Sequence, residues 1–259
     1  MKVLDSFSLS GKVAVLTGGR GMYGRQAASA LYEAGAKLFI CSPNIDELKN
    51  TAEEMRADGG DVTALYLDQG DEQSILKLHD EIIDRCGKVD ILVNNAVTRP
   101  MTHFSDEASI FTESMKVNAT GIFVISRAFG DSMAKAGSGS IINIASMYGE
   151  TGPDPTLYDN GIESLVPDYF FHKAGMVNLT RFLASYYGPR GVRCNAISPG
   201  GLQSHRTPGE FIERYSKRTM LGRMAGSDDL KGAILFLASD ASLYVTAINL
   251  PLDGGYTAK

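Results

Sequence analysis

Tyr169-Phe-Phe-His-Lys173 sets a phenol and an ammonium four residues apart, a spacing that brings both onto one face of a helix. A fixed ammonium beside a phenol favours the phenolate. Such a pair suits a general acid/base acting on an alcohol or a carbonyl. The motif alone arises often by chance on ordinary helices, so its neighbours decide its weight. Asn118 and Ser146 precede it, an amide and a hydroxyl able to hold a water or a reacting oxygen. Far upstream, Thr17-Gly-Gly-Arg-Gly-Met-Tyr-Gly24 follows a short apolar run and leads into a helical pattern. Glycines there let the backbone turn tightly against a pyrophosphate, which a helix N-terminus stabilises.

The elements that must position these residues alternate along the chain. Apolar runs at 13–16, 37–41, 62–67, 91–94, 140–144, 192–197 and 248–252 predict strands. Helical patterns lie between them at 25–34, 45–57, 71–85, 168–187 and 228–238, with one long helix expected at 110–136. Continuous apolar strands separated by helices indicate a parallel sheet covered on both faces. The expected fold is α/β, a Rossmann-like doubly wound parallel sheet in a single domain over 1–259.

Composition narrows the function. Of 259 residues, 44% are hydrophobic and 21% charged, the balance of a soluble globular protein. A net charge of −5 provides no basic footprint for nucleic acid. No apolar run reaches the roughly 18–20 residues of a membrane span, and the first residues lack the apolar core of a signal peptide. Cys41, Cys86 and Cys194 are far apart and form neither a disulfide framework nor a zinc pattern. They are read as buried reduced thiols of a cytoplasmic protein. The four histidines are scattered, and no metal site is expected.

The ordered set of motifs resembles the short-chain dehydrogenase/reductase family over nearly the full chain. Thr17, Gly18 and Gly24 match its Thr-Gly-x-x-x-Gly-x-Gly turn, while Met22 takes the middle glycine position and Gly21 stands one place earlier. Asp68 matches its adenine-contacting acid. Asn94-Asn95-Ala96 matches its Asn-Asn-Ala segment, with Val97 in place of the following glycine. Asn118, Ser146, Tyr169 and Lys173 match its catalytic positions, Pro199-Gly200 its turn beside the nicotinamide, and Asp253-Gly-Gly255 its C-terminal motif. Taken singly, each has a plainer reading: Asn94 and Asn118 as partners of backbone groups, Asp68 as a helix cap, Ser146 as a loop hydroxyl.

The resemblance implies hydride transfer with NAD or NADP on a secondary alcohol or ketone. Tyr169 would exchange the proton, Lys173 would support it and hold the nicotinamide ribose, Ser146 would align the reacting oxygen, and Asn118 would hold a relay water. Ser42 stands where an acid would select NAD, and Arg20 is one place from the family's usual basic position, so the preference stays open. A homotetramer or homodimer through the two longest helices is also implied.

Tyr148 and Tyr158 lie nearer to Ser146, but neither has a lysine four residues on. The longer spacing of the enoyl reductase branch is absent, since Val166 stands seven before Lys173. The connection from Ser146 to Tyr169 is 23 residues, longer than usual in the family. Residues 147–167 therefore read as an insertion on the substrate side, or else as a surface excursion or subunit contact. Residues 201–217 read as a lid. Arg99, His103, His205 and Arg206 are candidates for binding a carboxylate or hydroxyls. A polar, polyhydroxylated small molecule (a sugar, sugar acid or polyol) is the expected substrate. The rival readings are a nucleotide-binding protein without catalysis and, with only about 60 residues after the Pro-Gly turn, a less fitting nucleotide-sugar epimerase or dehydratase.

Overall fold

Val13–Thr17 (β1) is buried at every residue, as a strand covered on both faces must be. In the computed structural model, which describes residues 2–259, six further strands join it: Lys37–Ser42 (β2), Val62–Tyr66 (β3), Ile91–Asn94 (β4), Gly139–Ile144 (β5), Val192–Pro199 (β6) and Asn249–Leu252 (β7). They form one sheet in the order β3-β2-β1-β4-β5-β6-β7, parallel throughout. The fold is the expected Rossmann-like doubly wound sheet. Its strand order reverses between β1 and β4, which opens a crevice at the carboxyl ends of those strands.

The helices are Met22–Glu33 (α1), Ile45–Ala57 (α2), Glu72–Cys86 (α3), Ala108–Met115 (α4), Ile122–Ala136 (α5), Pro167–Tyr187 (α6), Gly209–Arg218 (α7) and Lys231–Ala238 (α8). Strand alternation sorts the core into two layers. Ala14, Leu16, Leu38 and Ile40 pack with Leu31, Leu48, Ile234 and Leu237 of α1, α2 and α8. Val15, Phe39 and Leu92 pack with Ile75, Ile82, Ile125, Phe129 and Leu183 of α3, α5 and α6. Helix ends follow their sequence signals. Asp71 caps α3 by accepting from Gln73 N, and Gly87 ends it at φ +71°, a left-handed conformation that suits glycine. Pro167 opens α6 and holds Val166 extended at φ −118°.

Three boundaries differ from the sequence reading. The first helix begins at Met22 rather than Arg25. The single helix expected at 110–136 is two helices joined by a π-helical turn, Lys116–Gly121. Hydrophobic periodicity does not resolve one widened turn, and such turns gather at functional sites. The last helix begins at Lys231 rather than Asp228, because Asp228 and Asp229 turn back to pair with Lys231 and Arg223. Residues 147–167 hold three short 3-10 turns, Met147–Gly149, Pro155–Leu157 and Gly161–Ser164. Among the described residues no helix is long and apolar enough to cross a membrane.

Candidate active site

The glycine turn is built for close backbone approach. Gly18 has φ +70°, and a Cβ there would lie 2.9 Å from Ala96 Cα. A Cβ on Gly24 would lie 2.1 Å from the Gly18 carbonyl oxygen, so neither place admits a side chain. Gly21 is open, and its amide donates to Gly18 O at 3.2 Å. Met22 is the first residue of α1 and is 58% exposed; its side chain sits at the mouth of a cleft rather than in the turn. The ends of β1 and β4 are stitched together. Asn95 N and Ala96 N donate to Thr17 Oγ1, at 3.1 and 2.9 Å, and Asn95 Nδ2 donates to the carbonyls of Thr17 and Gly18. A bare glycine cradle at a helix N-terminus fits a dinucleotide pyrophosphate.

Beyond the cradle, after β3, Asp68 is exposed and closes its own turn, accepting from Gly70 N at 2.9 Å. Asp71, not Asp68, caps α3. Ser42 ends β2, and its hydroxyl accepts from Asn44 N at 3.3 Å. Arg20 is ion-paired with Glu47 in the first turn of α2.

At the other end of the crevice, Ser146, Tyr169 and Lys173 line one cavity of about 350 Å³. Pro199 and Gly200 form part of its wall. Ser146 follows β5 and accepts from Tyr148 N at 3.1 Å. Tyr169 and Lys173 stand on one face of α6, with Lys173 Nζ 5.8 Å from the Tyr169 ring centre. Lys173 is 3% exposed and donates to Ile144 O at 2.6 Å. Burial, reinforced by Arg99, lowers its pKa to about 7. Arg99 itself lies over the Tyr169 ring, 4.3 Å from its centre. Burial raises the pKa of both Tyr148 and Tyr158.

Asn118 sits in the π-helical turn, and its amide makes three hydrogen bonds. It accepts from Thr98 N at 3.0 Å and donates to Thr98 O at 2.8 Å and Ser114 Oγ at 3.0 Å. Its side chain thus fixes the segment that carries Arg99. Ser114 passes its hydrogen to Asp168 Oδ2 at 2.5 Å. Asp168, beside Tyr169, is 1% exposed. Sequence reasoning missed Ser114 and Asp168, because a serine four before an asparagine gives no signal of its own. It also missed Tyr23, whose hydroxyl donates to Gly200 O at 2.7 Å and ties the glycine turn to the Pro-Gly turn.

Residues 147–167 and α7 form one roof. Leu157 is buried with Met147, Tyr215 and Met224. Arg214 of α7 pairs with Asp159 at 2.5 Å, and Arg218 with Asp154 at 2.9 Å. Asp154 and Asp159 are therefore spent on α7, while Tyr148 and Tyr158 line the cavity. Of the four candidate anion binders, Arg99 alone lines this cavity. His205 and Arg206 border a separate surface cleft with Arg25, and His103 pairs with Asp106.

The protein family described as Enoyl-(Acyl carrier protein) reductase matches residues 20–257. The chain is 33% identical to 2-dehydro-3-deoxy-D-gluconate 5-dehydrogenase of Dickeya dadantii, over 99% of this chain and 100% of that one. It is 31% identical to D-threitol dehydrogenase of Mycolicibacterium smegmatis, over 98% and 95%. A crystal structure of a gluconate 5-dehydrogenase from Burkholderia cenocepacia, in complex with NADP and tartrate, superposes with a TM-score of 0.89 at 31% identity, covering all of both chains.

Proposed function

This chain belongs to the short-chain dehydrogenase/reductase family, and from that premise we propose that Ser146, Tyr169 and Lys173 run an alcohol–ketone interconversion on a polyhydroxylated small molecule. The protein is an NAD(P)-dependent oxidoreductase acting on CH–OH groups. The observation that carries the assignment of residues is the joint placement of these three side chains in one cavity beside the glycine cradle. Thr17, Gly18, Gly21, Gly24, Asn95 and Ala96 hold the dinucleotide, with Arg20, Met22, Ser42 and Asp68 around it and Pro199-Gly200 beside the nicotinamide. When bound, the nicotinamide supplies hydride chemistry.

The protein's part is to orient the substrate and move one proton. Tyr169 Oη takes the hydroxyl proton in oxidation and returns it in reduction. Ser146 Oγ hydrogen-bonds the reacting oxygen and fixes its place. Lys173 adds positive charge behind the phenol and exchanges protons near neutral pH, because burial has weakened its hold on them. Asn118 holds the Thr98 segment in register. Arg99 gives the cavity a cation at Tyr169, which suits substrates carrying an acid group. The free thiols fit a reducing compartment, and we place the enzyme in the cytoplasm. Exposed Phe123 of α5 and Phe182 and Tyr186 of α6 offer the apolar face for a homodimer or homotetramer.

The test pairs thermal shift with a turnover screen. A nicotinamide dinucleotide raises the melting temperature by mass action, and a sugar, sugar acid or polyol then changes the absorbance of the reduced cofactor. Tyr169→Phe keeps the thermal shift and loses turnover. If Tyr169→Phe retains wild-type turnover, the assignment of the acid/base is wrong.

A further inference from the structure

Tyr158 reaches the cavity from the segment that lengthens the Ser146-to-Tyr169 connection. Asp154 caps the Pro155–Leu157 turn, and buried Leu157 anchors it to the roof, so the next residue emerges at a fixed place. The Tyr158 hydroxyl is 3.1 Å from that of Tyr148, and both rings line the cavity with Ser146 and Tyr169. Tyr148 is set in turn by the catalytic residues' own neighbours. Its amide donates to Ser146 Oγ, and its ring packs on Phe170, next to Tyr169, at 4.8 Å between centres.

The hydrogen count of this pair is informative. Two phenols bring two O–H hydrogens, and the single bond between them uses one. Among the described residues neither oxygen has another protein partner. Burial holds both phenols protonated at neutral pH, so the second hydrogen is present and free. A half-buried donor in a cleft calls for an acceptor, and the remaining lone pairs accept as readily. A pair that both donates and accepts is matched in full by a hydroxyl, which does both, whereas a carboxylate only accepts and an apolar chain does neither.

We propose that Tyr148 and Tyr158 are a specificity-determining pair that binds a second hydroxyl of the substrate, one beyond the hydroxyl being oxidised. The proposal rests on the reading of the substrate as polyhydroxylated. It gives residues 147–167 a substrate role through Tyr148 and Tyr158, while Asp154 and Asp159 hold α7.

Tyr158→Phe removes one oxygen and leaves the ring against Phe211 (5.4 Å between centres). Steady-state kinetics would compare the best polyhydroxylated substrate, from a panel including threitol and gluconate, with simple secondary alcohols such as 2-butanol and cyclohexanol. For the polyhydroxylated substrate, kcat/KM falls about five- to ten-fold, the size of one or two neutral hydrogen bonds, mainly through KM. For the simple alcohols it is unchanged. Tyr148→Phe gives a similar loss, and the double variant little more, because the two hydroxyls act as one unit. Thermal melting and cofactor affinity, unchanged in both variants, exclude a folding defect. Equal losses on every substrate would make the pair a packing element and overturn the proposal. A Tyr158→Phe enzyme that kept the wild-type preference for the polyhydroxylated substrate would overturn it too, leaving the proposed function standing. A wild-type enzyme with no such preference would bring down the polyhydroxylated reading itself, and this pair with it.

Discussion

Replacing Lys173 with methionine should stabilise the cofactor-free protein while abolishing its activity. The ammonium is 3% exposed and has one carbonyl partner, Ile144 O at 2.6 Å. Burial and the neighbouring Arg99 bring its pKa from 10.5 to about 7. At about 1.36 kcal/mol per unit, the buried charge costs ~5 kcal/mol at any pH below the folded value. The folded pKa is depressed, so between about 7 and 10.5 the unfolded chain binds a proton that the folded chain does not. Wild-type stability therefore rises with pH across that window, and is lost again as pH falls towards 7. Methionine has no charge to bury but leaves the Ile144 carbonyl unpaired, which costs ~1–3 kcal/mol at every pH. The variant should thus be more stable by ~2–4 kcal/mol near pH 6. Its advantage should shrink by ~3 kcal/mol near pH 9, where wild-type Lys173 is already neutral in the fold. Urea unfolding at both pH values, without cofactor, reads this directly, and the pH dependence is independent of the carbonyl term. An advantage that is absent, or the same at both pH values, would refute the claim that the site holds a strained charge.

Three further outcomes follow from named contacts. Glu47→Gln releases Arg20 from an ion pair that is half exposed on both sides. A surface pair holds it by no more than ~1 kcal/mol, so the NADP-to-NAD affinity ratio should rise up to about five-fold; an unchanged ratio in cofactor titrations would mean that Arg20 does not reach the 2′-phosphate. Ser114→Ala strips Asp168 of its hydroxyl partner and should lower unfolding stability by ~3 kcal/mol. Adding Asp168→Leu should recover most of that loss, and failure to recover would count against the buried carboxylate as its source. Asp154→Asn with Asp159→Asn removes both ion pairs to α7. Limited proteolysis at 201–218 should then quicken in low salt, whereas wild-type protein should reach the same rate only in high salt.

The sheet was legible because a buried parallel strand is apolar in a continuous run, as 13–16, 38–41 and 91–93 are. The spacing of Tyr169 and Lys173 was legible because one helix fixes it. What sequence could not show lies between elements. The cation over Tyr169 comes from Arg99, 70 residues away, on a segment that the Asn118–Thr98 clamp holds. The polar ladder inside the sheet was similarly hidden: Asn94 Nδ2 donates to Asn143 Oδ1 at 2.8 Å and to Ser126 Oγ at 2.9 Å, and Asn143 Nδ2 donates to Thr180 Oγ1 at 2.8 Å. An asparagine within an apolar strand is the trace it leaves, since a buried amide requires partners. The π-helical turn was hidden because Ile122 to Ile125 are apolar at every position, so the phase shift of one extra residue leaves no mark in the pattern.

The roof also limits how this enzyme's specificity could be moved elsewhere. Residues 147–167 are flanked by Ser146 and Tyr169, which any relative could supply, so the segment looks transferable as a cassette. Its underside is not self-sufficient. Leu157 requires Tyr215 and Met224 to cover it, and Asp154 and Asp159 require Arg218 and Arg214. A graft of the loop alone would carry an uncovered leucine and two unmatched acids into its host. A graft that brought α7 with it would move a finished interface. The two segments, about 50 residues apart in the chain, must therefore change together.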